Sequence, residues 1–249
     1  MDTPSERQSR LDAISTCWTL FRQAHGAATA SAGEARNALV LRYLPAIRRY
    51  VGAIVQHGQE ADDLAQDVAV RLLAGDFAGA DPDRGRFRDL LKVAIRNMVR
   101  SRWQRQKTRR VVSADVGNLA AEESDEECWT AEWRHSVLEL AWKALEQHER
   151  THPGSVAHAL MQLRASHPDD TSEQLASRLS EKLGQPVRAD AVRQRLHRAR
   201  LQFAGLLLDE LARGLRDPTP ERIEDELGEL GLLDTLRDLL PEGWRGTAD

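Results

Sequence analysis

The sequence predicts an all-α protein built as two small helical domains joined by an acidic linker, the second a helix-turn-helix domain. Three observations lead there. Helix formers (Ala, Leu, Arg, Glu, Gln) dominate the 249 residues, and runs of β-branched residues are nearly absent. Apolar residues recur at three- and four-residue spacing in one segment after another. Charge is segregated although the formal net charge is only -4: residues 84–110 are strongly basic, 113–132 strongly acidic, 188–200 basic again, and the tail from Asp217 onward acidic. Alternating blocks of this kind imply two separate anion-binding surfaces on one chain.

The elements follow in order. In residues 34–55 the positions Leu39, Tyr43, Ile47, Tyr50 and Ile54 make one apolar stripe, with Pro45 placed to kink or split the helix. In residues 59–75, Ala61, Leu64, Val68 and Leu72 share a face, and Gly75 is a stop signal. Residues 75–86 hold several Gly and a Pro and read as a loop. A long helix follows, with Phe87, Leu90, Leu91, Ala94, Ile95, Met98 and Val99 as its apolar stripe. Arg88, Lys92, Arg96 and Arg100 recur every four residues on a different face. Stacked cations repel one another, so that face is expected to be solvated or to meet a polyanion.

Residues 111–128 are acidic and poor in large apolar side chains, the composition of a linker with little order. Beyond it, Trp133, Val137, Leu140, Ala141 and Leu145 mark a buried helix face, and residues 155–165 a further short helix. Thr171 with Gln174 forms a capping-box pattern opening another, whose inner face is Leu175, Ala176, Leu179 and Leu183. Gly184 can end that helix, Pro186 cannot continue it, and Asp190 suits the N-cap of the next. Val192, Leu196, Ala199 and Phe203 then face inward, which leaves Arg193, Gln194, Arg195, His197, Arg198 and Arg200 mainly outside. This is a helix-turn-helix pattern with a basic second helix, its turn longer than in the most compact versions. Arg and Gln suit base edges, because Arg forks onto guanine and Gln onto adenine. In the tail, Ile223, Leu227, Leu230, Leu233, Leu236 and Leu240 predict short amphipathic helices broken by glycines.

Several function classes recede on the same grounds. Cys17 and Cys128 lie far apart and provide neither a disulfide framework nor a metal spacing, so a reducing, cytoplasmic setting is expected. The polar N-terminus has no apolar signal core, and no run approaches the roughly 18–20 apolar residues of a membrane span. Asp62, Asp63 and Asp67 are of the residue type that holds Mg²⁺ in a nuclease, but no further carboxylate or His cluster, phosphate-cradling loop or nucleophile motif accompanies them. No enzymatic activity, cofactor or metal is expected.

Three stretches in order, residues 60–73, 85–106 and 191–203, resemble a bacterial RNA polymerase sigma factor of the extracytoplasmic-function group, over roughly residues 37–213. "RLHRAR" (Arg195–Arg200) is especially typical. The resemblance implies a non-enzymatic transcription initiation factor whose partners are core RNA polymerase, promoter DNA and, in some members, an anti-sigma or other regulatory protein. It implies four parts: residues 1–110 for the polymerase and the minus-ten element, the linker 111–128, residues 129–213 for the minus-thirty-five element, and an acidic extension 214–249. Glu60, Asp62, Asp63, Gln66 and Asp67 would dock on the polymerase. Arg88, Lys92, Arg96, Asn97, Arg100, Ser101 and Trp103 would lie along the minus-ten strand, with Asn97 and Ser101 suited to the edge of a flipped base and Trp103 to stacking. Arg188, Asp190, Arg193, Gln194, Arg195, His197 and Arg198 would read the minus-thirty-five element. The linker would thread the polymerase, and the extension lies outside the minimal two-domain pattern. A stand-alone helix-turn-helix regulator of duplex DNA is the alternative, though it leaves the first hundred or so residues idle.

Overall fold

A computed structural model describes residues 11, 14, 16–25, 30–55, 58–74, 86–109 and 122–240. Regular structure among them is entirely helical. The helices are α1 (Cys17–His25), α2 (Ala30–Ile54), α3 (Gly58–Ala74), α4 (Phe87–Arg109), α5 (Glu122–Thr151), α6 (Ala157–Ser166), α7 (Ser172–Leu183), α8 (Ala189–Gly214), α9 (Pro220–Glu229) and α10 (Leu233–Leu236), the last followed by a 3₁₀ turn at Arg237–Leu239. Helix α2 continues through Pro45 and is not split there. The expected stop at Gly75 and the loop after it, up to residue 85, lie outside the described residues, as do linker residues 111–121. Residues 122–128, expected in the linker, form the first two turns of α5. Trp129 and Trp133 just beyond them are buried and anchor this part of the helix.

The packing runs across the domain boundaries expected from the sequence. One core draws on α1 to α4, on the N-terminal half of α5, on the C-terminal half of α8 and on the tail helices α9 and α10. Aromatic residues are few, but most of them meet here. The edge of Trp18 meets Phe87 at 5.7 Å. Tyr43 on α2 stacks on Trp133 of α5 at 5.4 Å and 11°, and one turn of α5 earlier Trp129 meets Tyr50 at 4.7 Å. Each such pair adds roughly 0.5–1.5 kcal/mol beyond the area it buries, so α5 is fastened to α2 along its N-terminal half. Arg49 strengthens that seam, reaching Glu132 at 3.2 Å and Glu139 at 3.0 Å.

Helices α6 and α7 and the start of α8 share a separate small core. Leu160, Leu175, Ala176, Leu179, Val192 and Leu196 pack together, with Leu183 and Val187 at the edge. A second cluster of Leu145, Ala157 and Ala199 ties it to α5. The capping box is formed: Thr171 accepts from the N–H of Gln174, and the Gln174 side chain accepts from the N–H of Thr171. Gly184 closes α7 in the left-handed region at φ +66°, which only Gly adopts without steric cost. The cap of α8 differs from expectation. Arg188 is the N-cap, and Asp190 sits inside the first turn, where its charge suits the helix dipole and pairs with Arg193. The long helices α5 and α8 therefore meet this small core at one end and enter the main core at the other.

Candidate nucleic-acid interface

Helix α4 carries all seven residues expected to meet a single strand. Its first turn is set by Asp89, whose carboxylate accepts the N–H of Arg86 at 3.1 Å. Phe87, Leu91, Ala94, Ile95, Met98 and Val99 are buried, and Leu90 is partly so, as their periodicity requires. The cationic stripe is divided. Arg88 and Lys92 are only 6% and 7% exposed, enclosed by protein rather than facing solvent.

The enclosing groups are acids of the same chain. Arg88 reaches Glu226 of α9 at 3.3 Å and also pairs with Glu229. Arg86 meets Glu226 at 2.6 Å and pairs with Glu229. Lys92 pairs with Glu126, and Arg96 with Asp125 at 3.0 Å, both acids lying in the opening turns of α5. Asp125 in turn accepts the Tyr50 hydroxyl at 2.7 Å. Burial pushes the Glu226 carboxyl above its ordinary value, although Arg88 and Arg86 oppose the shift. Burial also acts on Glu229, but there the hydrogen bond from Arg86 and the charge of Arg88 prevail and hold it below the ordinary 4.5. The sequence reading missed these partners. The available signal was a pair of acids three residues apart, Glu226 and Glu229, flanking the apolar stripe Ile223, Leu227 and Leu230 of a short amphipathic segment.

Three of the four remaining residues of the set are open. Asn97, Arg100 and Ser101 are exposed. Asn97 and Ser101 line a cleft of about 730 Å³ between α3 and α4. Its apolar lining is Leu64, Val70, Leu90, Val93, Ala94 and Met98, and its polar lining Asp67, Arg71, Asn97, Ser101, Arg102 and Arg105. Val70 and Val93 are more than half exposed. Apolar and polar side chains line it in equal number, so it offers both a surface for the face of a flat ring and groups for its edge. None of Arg88, Lys92 and Arg96 lines it. Trp103 packs half-buried against the main core, which leaves only part of its ring for stacking.

The other two expected surfaces are exposed. On α3, Asp62, Asp63, Gln66 and Asp67 project outward, with Glu60 half-buried beside them. Arg102 of α4 approaches Asp63 at 3.6 Å and Asp67 at 3.9 Å, so the acidic face and the cleft share a border. On α8, Arg193, Gln194, His197, Arg198 and Arg200 are exposed and Arg195 is half-buried, with Val192, Leu196 and Ala199 turned inward. Arg188 and Asp190 are exposed at the start of that helix.

Residues 39–109, which span most of α2 and all of α3 and α4, match the family model for sigma-70 region 2. Domains of that family bind core RNA polymerase and promoter DNA. The match covers under a third of the chain and supports a sigma-70 family factor acting in transcription initiation. No curated protein and no solved structure matches the chain. Among the described residues, no helix is long and apolar enough to cross a membrane.

Proposed function

We propose that the protein is a sigma factor of the extracytoplasmic-function type that directs core RNA polymerase to promoters through minus-ten and minus-thirty-five elements. The observation that carries this reading is that the region 2 match includes both helices, α3 and α4, that form the cleft bearing Asn97 and Ser101. Its volume falls in the range of small-ligand sites, so a single base out of its stack would fit there, its face against apolar lining residues and its edge toward the amide and hydroxyl. Arg100 and Arg105, exposed along α4, would follow the backbone of that strand. The acidic face of α3 would dock on the polymerase beside it. Helix α8 would enter the major groove of the upstream element, with Gln194 and Arg193 at base edges and Arg188, Arg195, His197 and Arg198 positioning it. A regulatory protein such as an anti-sigma factor would be a further partner. A stand-alone duplex regulator would account for α8 but not for the residues matching region 2.

The experiment is transcription in vitro with purified protein, sigma-free bacterial core polymerase and a pool of promoter fragments, with the RNA starts sequenced. Discrete starts sharing two upstream elements are expected. A folded protein that neither binds core nor yields starts would refute the reading, and tight sequence-specific duplex binding without polymerase would favour the regulator.

A further inference from the structure

We propose that α9 and the opening turns of α5 form an internal acidic clasp on helix α4, and that the clasp must open before α4 presents its whole cationic face to a nucleic-acid backbone. The inference rests on the reading that residues 39–109 act on promoter DNA. Four successive cations along α4 and its N-cap, Arg86, Arg88, Lys92 and Arg96, are each paired with a carboxylate from elsewhere in the chain. The guanidinium and ammonium groups that phosphates would engage are the groups these carboxylates already hold. Carboxylate and phosphate compete for the same donors, so occupation by one excludes the other at those atoms.

The clasp has a buried and an exposed half. Glu226 and Asp125 are each only 4% exposed, whereas the side chains of Glu229 and Glu126 are 50% and 64% exposed. The exposed pair is where a polyanion gains a foothold. Release cannot be electrostatic alone, because α9 also buries Ile223, Leu227 and Leu230 completely, and Arg134 of α5 donates to the Leu230 carbonyl at 3.2 Å. Lifting α9 exposes that apolar face. The free protein therefore rests closed, and full opening requires a partner that offsets the exposed area. The cleft with Asn97 and Ser101 is not covered by the clasp, so the resting protein retains a small open site while most of the stripe is occupied.

The test uses the full chain and a dye-labelled single-stranded oligonucleotide of random sequence, read by fluorescence anisotropy at fixed salt. Glu229→Gln with Glu126→Gln removes the exposed half of the clasp with side chains of equal size. A double control, Glu146→Gln with Glu181→Gln, makes the same change in net charge away from it: Glu146 pairs with Arg150 on α5, and Glu181 is exposed on α7. The clasp variant is expected to bind roughly fivefold tighter or more than wild type, the low end of typical coupling between sites. The control is expected to change affinity much less. Equal gains in both pairs would overturn the clasp. Hydrogen exchange on the wild-type protein provides a measurement that needs no variant: amides of residues 221–230 should exchange faster once the oligonucleotide is bound, and unchanged or slower exchange refutes opening. Transcription with core polymerase separates the two levels. Core-dependent starts with no difference between clasp variant and control refute the clasp and leave the sigma reading standing. Tighter oligonucleotide binding with no starts from either protein upholds the clasp and removes the sigma reading.

Discussion

Replacing Arg88 by Met tests the enclosed ion pair most directly. Arg88 and Glu226 are both almost fully buried, 3.3 Å apart, at the junction of α4 and α9. Met keeps much of the side-chain volume and removes the charge, leaving Glu226 with Arg86 alone at 2.6 Å. Removing one partner of an enclosed pair costs about 3–5 kcal/mol, because the other charge stays buried. That is a large share of the ~5–15 kcal/mol that holds a typical domain together. Glu226→Leu alone should cost a similar amount for the reciprocal reason. The double variant should recover much of the loss, since an apolar pair of similar volume needs no counter-charge and Arg86 still has Glu229. Urea unfolding followed by Trp emission is suited to this, because Trp18, Trp129 and Trp133 are buried in the core that α9 joins. The expected coupling between the two sites lies at the upper end of the ~0.5–3 kcal/mol seen for contacting residues. Strictly additive losses, or an Arg88→Met cost below about 1 kcal/mol as for a surface pair, would refute the enclosure of α4 by α9.

Three further outcomes follow from other parts of the molecule. Asn97→Ala should weaken discrimination at a single promoter position by about 1–3 kcal/mol in transcription assays on base-substituted templates, with an unchanged urea midpoint because the side chain is exposed; equal loss at every position would count against a base contact. Thr171→Ala should cost about 1 kcal/mol in urea unfolding through loss of the α7 capping box, and no measurable cost would show that the cap is dispensable. Glu139 is held below its ordinary 4.5 by its hydrogen bond to Lys143 and by Arg49, against the effect of burial; its contribution is therefore present above 4.5 and lost as pH falls below it, so Glu139→Gln should flatten the acid side of the stability profile, and a profile parallel to wild type would refute the assignment.

Local periodicity made most of the helices legible. The buried faces of α3, α4, α7 and α8 follow the three- and four-residue spacing, and the capping box and Gly184 mark the ends of α7 as their chemistry dictates. What the sequence left hidden is long-range. Acids in residues 122–128 look like linker composition, yet Trp129 and Trp133 pull this segment onto α2, and Asp125 is buried with Tyr50 and Arg96. The tail shows an amphipathic pattern, but nothing in a linear pattern states that its apolar face completes the core beside Phe87 and Trp133. Cleft residues such as Val70 and Val93 interrupt their polar faces singly, and only the approach of α3 to α4 makes them one surface.

The division of the cationic stripe has a geometric cause. A helix turns 3.6 residues per revolution, so each step of four residues advances about 40° beyond a full turn. Three steps, from Arg88 to Arg100, accumulate about 120°. Side chains that look like one row in the sequence therefore wind around α4. The row begins in the seam with α9, passes the opening turns of α5 at Lys92 and Arg96, and emerges into solvent at Arg100. Asn97 and Ser101, one residue further round from Arg96 and Arg100, reach the cleft with α3. The same winding lets one helix serve two partners: its first turns are held by acids of its own chain, while Arg100, Ser101 and Arg105 further along are exposed. An acidic net charge and a strongly basic helix are then compatible, because much of the positive charge is neutralised within the molecule, at the positions a polyanion would have to take over.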